Sequence, residues 1–401
     1  SVDIVDTENL IGRCVVAGNV RRSAALAMGK HDDMYYLQMK NDQEKLYHHR
    51  WGSNNSMVAD VGMDYSWAAE QCQKNGEPGY IWLNNARTRG RFKDGPRDDD
   101  LHVMGFNPCS EQQLEDAELC CLVETFPAKH DDLEDYLKTL KIAYLYGKTI
   151  TLYNTHWPET NAKMLKNRRI GLSQSGVVQA FNKFGRRTVY EWCDQAYDYI
   201  KELDDEYSNW LCIPRSVRMT SIKPSGTVSL LNGSTPGIHF PESEYYIRRI
   251  RFSNDSHTLA FLKEAGYKVE KDMYSPNTMV VEFPVHEPYF VKSKRNVTMW
   301  EQLEIAAQYQ HYWADNSVSV TVTFQESEAP QLKNALEMYE TRLKSVSFLK
   351  YEETGYKQAP YEPITQEEYE KRIKTVEPLQ RMDTQDEGSG EKFCTNDTCT
   401  I

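Results

Sequence analysis

Asn107-Pro108-Cys109-Ser110-Glu111 gathers an amide, a thiol and a carboxylate into five consecutive residues. A lone cysteine is usually a small buried apolar residue. A carboxylate two positions away changes that reading, because burying it is costly unless it has a partner or a task. Asn107 adds a donor and an acceptor, which suits a substrate bearing hydroxyl groups. A second thiol, Cys120, follows eleven residues after Cys109. Its neighbour Cys121 is a poor disulfide partner, since a bridge between adjacent residues is strained, so a redox role is open to Cys120. Cys394 and Cys399 close the chain in a polar tail without a nearby His or Cys to complete a four-ligand metal site, which favours dithiol exchange. Together these form an inventory of one reactive sulfur, a redox sulfur and a shuttle pair.

Two further stretches could meet an anion. Lys223-Pro224-Ser225-Gly226-Thr227 follows an apolar run and precedes another. It reads as a strand-to-helix turn whose Gly allows close backbone approach and whose hydroxyls suit a phosphate. It lacks the Walker spacing, so an ordinary turn remains open. Gly18-Asn19-Val20-Arg21-Arg22-Ser23 is a turn with two guanidinium groups, either an anion-facing loop or an exposed basic turn. His48 and His49 are adjacent and point apart on any regular element, so no metal is expected there.

These residues need a scaffold. Pro108 removes a donor and keeps Asn107 extended, which puts Cys109 on a loop or strand end. Asp64 to Lys74 reads as a short helix and Arg87 to Asp100 as a charged surface loop. Asp131-Asp132 offers an N-cap to a helix with apolar positions at Leu133, Tyr136, Leu137, Leu140, Ala143 and Tyr146. Ile150 to Tyr153 reads as a buried strand, Ile170 to Gly176 as a Gly/Ser turn, and Val189 to Leu203 as an amphipathic helix. Val217 to Ile222, Thr278 to Phe283, Ser317 to Phe324 and Val346 to Tyr351 read as strands; Ser256 to Ala265 and Pro330 to Leu343 read as helices. Alternating strands and helices favour an α/β architecture with a largely parallel sheet or barrel. The apolar pattern ends near Glu377, giving a body over 1–376 and a tail over 377–401.

Composition narrows the function classes. The 401 residues carry a formal net charge of −12, which argues against general nucleic-acid binding. No run of 18 apolar residues is present, so no membrane span is expected. Nine cysteines in a chain this long fit a reducing compartment, with the cytoplasm as the expected location. Ser1 leads straight into a folded element, so the chain reads as the later part of a longer protein.

The order Asn-Pro-Cys-x-Glu, Glu-Leu-Cys-x-Leu-Val-Glu (118–124), Arg-Arg-Ile-Gly-Leu (168–172), Lys-Pro-Ser-Gly-Thr and a terminal Cys-x-x-x-x-Cys resembles the ribonucleotide reductases. The resemblance is nearest the monomeric, adenosylcobalamin-dependent class II enzymes acting on ribonucleoside triphosphates. Thr235 to Phe240 and Tyr245 to Arg249 resemble that subfamily too. It implies a ten-stranded α/β barrel with a central finger loop tipped by Cys109, and a flexible C-terminal tail. Cys109 would carry a thiyl radical, Glu111 would act as general base on the 3′-hydroxyl, and Asn107 would orient the ribose. Cys120 would be one of the two cysteines that reduce the 2′ carbon, its partner lying upstream of this chain; Cys14 has no claim to that role.

The resemblance further implies that Pro224, Ser225, Gly226 and Thr227 hold the substrate phosphate and that Gly18 to Ser23 carry effector information. Cys394 and Cys399 would re-reduce the active-site disulfide and pass the electrons on from a thioredoxin-like protein. A flexible tail of about 16 residues spans roughly 20–24 Å, enough to swing towards a barrel interior. The implied partners are a ribonucleoside triphosphate, a deoxynucleotide effector, the thioredoxin-like reductant and the upstream portion of the same enzyme. Two positions depart from the pattern: Ser110 stands where Gly is usual, and Cys121, which could mispair with Cys120, where Asn is usual. The rivals are a class I large subunit, disfavoured because Ser317 to Phe324 lacks a Tyr pair, and a non-catalytic nucleotide-binding derivative, disfavoured by the intact thiols and carboxylate.

Overall fold

The computed structural model describes residues 1–17, 23–273, 277–351 and 357–378. They fall into two compact units, a larger one made of Ser1–Asn9, Ala24–Phe240 and Val297–Tyr351, and a smaller one centred on Pro241–Asn296. No helix of the described residues is long and apolar enough to cross a membrane.

The larger unit is α/β. Strands β1 (Ala25–Lys30), β2 (Ser53–Val58) and β3 (Gly79–Ile81) run parallel. The short β4 (Gly105–Phe106) and β5 (Gln113–Leu114) make a separate antiparallel hairpin. β6 (Leu122–Thr125) pairs in parallel with β7 (Gly171–Gln174). β8 (Thr321–Phe324) pairs in parallel with β9 (Ser345–Lys350), which meets β3 antiparallel. The main sheet therefore has the order β1-β2-β3-β9-β8. Parallel bridges Leu172↔Thr220 and Ile222↔Val318 connect this sheet to β7 and β6 through the extended segment 219–222. The strand series runs from β6 round to β1 without a pairing between those two among the described residues, so it is an open sheet and not a closed ten-stranded barrel.

Helices cover this sheet. Asp132 caps the helix Leu133–Ile150 by accepting from the Asp135 N–H, as the sequence predicts. Its buried face is Tyr136, Leu140, Tyr144 and Gly147; Tyr146 turns to solvent instead. Tyr144 stacks on Tyr207 of the helix Arg186–Leu211, with ring centroids 6.4 Å apart. Buried Lys148 bonds Asp204 across the same contact at 2.5 Å.

Two local expectations fail for instructive reasons. Ile150 to Tyr153 is a helix end and turn, not a strand: the capped helix runs on through Ile150, and the Thr151 hydroxyl donates back to the Lys148 carbonyl. Ile170 to Gly176 contains strand β7, not a turn. All four β7 residues are buried, as in a strand covered on both faces, and its polar side chains are satisfied by neighbours that lie far away in sequence.

The smaller unit holds an antiparallel sheet of Tyr361–Pro363, Tyr245–Ser253, Thr278–His286 and Lys268–Lys271, in that order. Leu259 and Leu262 of the helix Thr258–Glu264 pack on Val281 in its core. Gly266, with φ at +86°, ends that chain segment as expected.

Candidate active site

The cluster 107–111 is the tip of the β4–β5 hairpin. The Asn107 N–H donates to Gln112 O at 3.0 Å, the Gln112 N–H returns to Asn107 Oδ1 at 2.9 Å, and the Ser110 N–H reaches Asn107 O at 2.8 Å. Ser110 sits at φ +63°. That is the left-handed region, where a side chain costs about 1–2 kcal/mol relative to glycine, so the turn is as tight as a glycine would make it and Ser110 is strained.

Two segments clasp the tip, β2 and the 317–319 stretch that leads into β8. Ser319 Oγ donates to Cys109 O, Asn54 Nδ2 donates to Pro108 O at 3.0 Å, and the Ser317 N–H donates to Glu111 O at 3.1 Å. At the base, Gln112 Nε2 bonds Cys121 O at 3.2 Å. Gly171 permits this approach: a Cβ there would lie 2.4 Å from Gln112 Nε2 and 2.6 Å from Leu122 Cδ2.

Below the hairpin lies a buried ion network. Arg169 makes paired 2.8 Å bonds to both oxygens of Asp100 and a 3.0 Å bond to Glu118. Asp100 also accepts from Gln113 of β5, and Glu118 from the Glu115 N–H. The Arg-Arg-Ile-Gly-Leu motif is thus the brace that sets the hairpin against the 115–121 segment that carries Cys120.

Glu111 is fully buried. Its Oε1 accepts from Lys223 Nζ at 3.0 Å, while Oε2 has no hydrogen-bond partner in the structure. Asn107 Nδ2 lies 3.9 Å from Cys120 Sγ. Burial, reinforced by the Glu111 carboxylate, raises the Cys109 thiol above its ordinary range. The same two causes raise Cys120 much further. Lys223 is pulled down by burial but pulled up more by the Glu111 carboxylate, and ends above the ordinary lysine value. Both thiols therefore keep their hydrogens at neutral pH. A cysteine nucleophile needs the opposite shift; a thiol that holds its hydrogen suits hydrogen-atom transfer.

Cys109 and Cys120 are both exposed, whereas Cys121 is buried with its Sγ on the Gly147 carbonyl at 3.6 Å. The vicinal thiols, on the segment just before β6, thus have different surroundings, Cys120 beside Asn107 and Cys121 on Gly147. A cavity of about 130 Å³ lies beside the Cys109 thiol, rimmed by Asn54, Ser319, Ser345 and Pro224 among others.

The Lys223–Thr227 stretch leads into one 3-10 turn, Val228–Asn232, and not the α-helix expected from the sequence. Ser225 is buried with φ at +48°. A Cβ built on Gly226 meets nothing within 4 Å, so the loop leaves space on that side. Lys223 and Glu124 were not singled out for roles by sequence reasoning, although each lies inside a motif it quoted. Gly18 to Arg22, Cys394 and Cys399 lie outside the described residues; Ser23 alone of that loop is described.

No family model matches the chain. It is 48% identical over 411 residues to a probable adenosylcobalamin-dependent ribonucleoside-triphosphate reductase of Dictyostelium discoideum, covering 100% of this chain and 54% of that protein. It is 47% identical to an adenosylcobalamin-dependent ribonucleoside-triphosphate reductase of Euglena gracilis, covering 99% and 56%. A crystal structure of a B12-dependent class II ribonucleotide reductase superposes with a TM-score of 0.85 at 37% identity, over 94% of this chain and 56% of that one. The chain belongs to the class II ribonucleotide reductase family. The chain spans about half the length of the curated relatives it matches. Its fold also resembles the class Id α subunit of Actinobacillus ureae, with a TM-score of 0.59 at 14% identity.

Proposed function

We propose that this chain carries the catalytic centre of an adenosylcobalamin-dependent reductase that converts ribonucleoside triphosphates to 2′-deoxyribonucleotides. The observation that carries the reading is the meeting of Cys109, Glu111, Lys223 and Cys120 around one hairpin tip. The names and extent of the matching relatives support it further.

The residue roles follow from this chemistry. Cys109, once it has lost its hydrogen atom, abstracts the 3′-hydrogen of the ribose. Glu111 accepts the 3′-hydroxyl proton on its Oε2, the oxygen that has no hydrogen-bond partner among the described residues, while Lys223 holds Oε1. Asn107 bonds the ribose hydroxyls. Cys120 supplies a hydrogen and an electron for loss of the 2′-hydroxyl as water, together with a second thiol from an upstream portion of the same enzyme. Pro224 to Thr227 bind the substrate phosphate. Cys394 and Cys399 regenerate Cys120 and receive electrons from a thioredoxin-like protein. Gly18 to Ser23 form the loop that reports a bound deoxynucleotide effector.

The cavity beside Cys109 suits the cofactor's nucleoside end, because its rim sets hydroxyls and an amide beside apolar Leu26, Val320 and Val346, and the thiol is exposed. Asn54, Ser319 and Ser345 are the residues that would hold it. When bound, adenosylcobalamin supplies the radical that takes the Cys109 hydrogen. The closed ten-stranded barrel belongs to the same proposal, with strands from the upstream portion sealing the gap between β6 and β1, and 1–376 and 377–401 acting as body and tail.

The deciding experiment is nucleotide reduction by the complete enzyme with adenosylcobalamin, against the same enzyme with an added iron or manganese radical subunit. Reduction that depends on adenosylcobalamin alone is the expected result. Dependence on the metal subunit would make this a class I enzyme.

A further inference from the structure

Glu124 lies at the end of β6, under the Lys223–Thr227 loop, and three serines converge on it from two places in the sequence. Its Oε1 accepts from Ser175 Oγ at 2.7 Å and Ser173 Oγ at 3.1 Å. Each of those hydroxyls in turn accepts a backbone N–H, from Gly237 and Lys223 respectively. Oε1 is thus held as an acceptor by two hydroxyls whose own geometry is set by the backbone. Oε2 has a single partner, the hydroxyl of Ser225. A hydroxyl carries one hydrogen. While Glu124 is ionised, that hydrogen points at Oε2, and Ser225 offers a phosphate only its lone pairs, which repel.

We infer that Glu124 is a proton-linked positioning residue of the phosphate loop: a proton added to its Oε2 lets the carboxyl donate to Ser225 Oγ, freeing the Ser225 hydrogen for a phosphate oxygen, so that nucleotide binding takes up a proton. The inference rests on the proposed role of Pro224 to Thr227 in holding the substrate phosphate. The step is balanced simply: one proton leaves solvent, one O–H bond forms on Oε2, and the Ser225 hydroxyl rotates.

The surroundings favour this exchange. Burial raises Glu124 to about 7, in spite of the three hydroxyls and Lys223, so the carboxyl titrates in the neutral range. Lys223 and Tyr136, which lie near it, do not. Lys223 is held above the ordinary lysine value, after burial and Glu111 have opposed each other. Tyr136, whose hydroxyl bonds Thr125 next in the chain, is raised far above neutrality, chiefly by burial. His239, on the neighbouring 234–240 segment, faces Pro236 O and the Thr321 N–H. An approaching triphosphate would raise Glu124 further, since like charges disfavour the ionised form.

Calorimetric titration of a ribonucleoside triphosphate into the complete enzyme, in buffers of different ionisation enthalpy between about pH 6 and about pH 8.5, measures proton uptake directly. Glu124→Gln is the diagnostic variant. Its amide accepts from Ser173 and Ser175 and donates to Ser225, imitating the protonated carboxyl. The wild type should take up a fraction of a proton beyond that of the nucleotide itself, and its Kd should rise by up to about tenfold per pH unit above the Glu124 value. Glu124→Gln should lose the excess uptake, bind as tightly as wild type at low pH, and stay tight as pH rises. Equal uptake in both proteins, or none beyond the nucleotide's own in the wild type, would overturn the inference and leave the proposed function standing. Absence of triphosphate binding at every pH would overturn both.

Discussion

Lys223 Nζ sits 3.0 Å from Glu111 Oε1, and the other oxygen of that buried carboxylate has no partner. The pair joins the hairpin tip to the anion loop and leaves one buried acceptor atom without a hydrogen bond. Replacing Lys223 with Ala should cut kcat/KM by about 100-fold, in the range expected for loss of acid–base function. Because part of Lys223 is exposed, the stability loss should stay near 1 kcal/mol. Steady-state kinetics beside thermal unfolding separates the two effects.

Cys109→Ser keeps the size and the turn but replaces an S–H bond with a much stronger O–H bond. Nucleotide reduction should vanish while triphosphate binding persists, as measured by product formation and by equilibrium binding. Retained turnover would remove Cys109 from its proposed role.

Arg169 is fully buried and holds two carboxylates. Arg169→Met should cost about 3–5 kcal/mol, because Asp100 and Glu118 lose their shared countercharge. Asp100 makes this visible in the pH dependence. Burial alone would raise its carboxyl, but Arg169 prevails and lowers it from 3.8 to about 2. A depressed folded-state value stabilises fully above the unfolded value, and the gain is lost as pH falls through the folded one. Stability worth about 2 kcal/mol should therefore disappear between about pH 4 and about pH 2, and Asp100→Asn should flatten that part of the profile. Denaturant titrations at several pH values measure it.

Gly171→Ala tests the contact between β7 and the hairpin. Its methyl would press on Gln112 and Leu122, costing about 1–3 kcal/mol of overpacking. Since Gln112 closes the Asn107–Gln112 turn, kcat should fall by more than the stability change explains. Chemical unfolding and activity on the same preparation provide the comparison.

For the tail, Cys394→Ser with Cys399→Ser should spare a single turnover. It should also spare turnover driven by dithiothreitol better than turnover driven by thioredoxin. Equal losses with both reductants would refute the shuttle.

The sequence by itself determined the chemical cluster Asn107, Cys109 and Glu111, the separate thiol Cys120, the helix capped by Asp132 and the family, because each of these is written in adjacent residues or in motif order. It did not reveal strand β7. A strand rich in Ser and Gln resembles a turn until its polar groups are seen to be satisfied by distant neighbours. Nor did it reveal the Lys223–Glu111 pair or the three hydroxyls on Glu124, which join positions 49 to 112 residues apart. Local periodicity reports which face of an element is apolar; it carries no record of which strands lie side by side. Only the parallel adjacency of β6, β7 and the 219–222 segment brings Ser173, Ser175 and Ser225 to one carboxylate, and that tertiary placement decided the surroundings of Glu124.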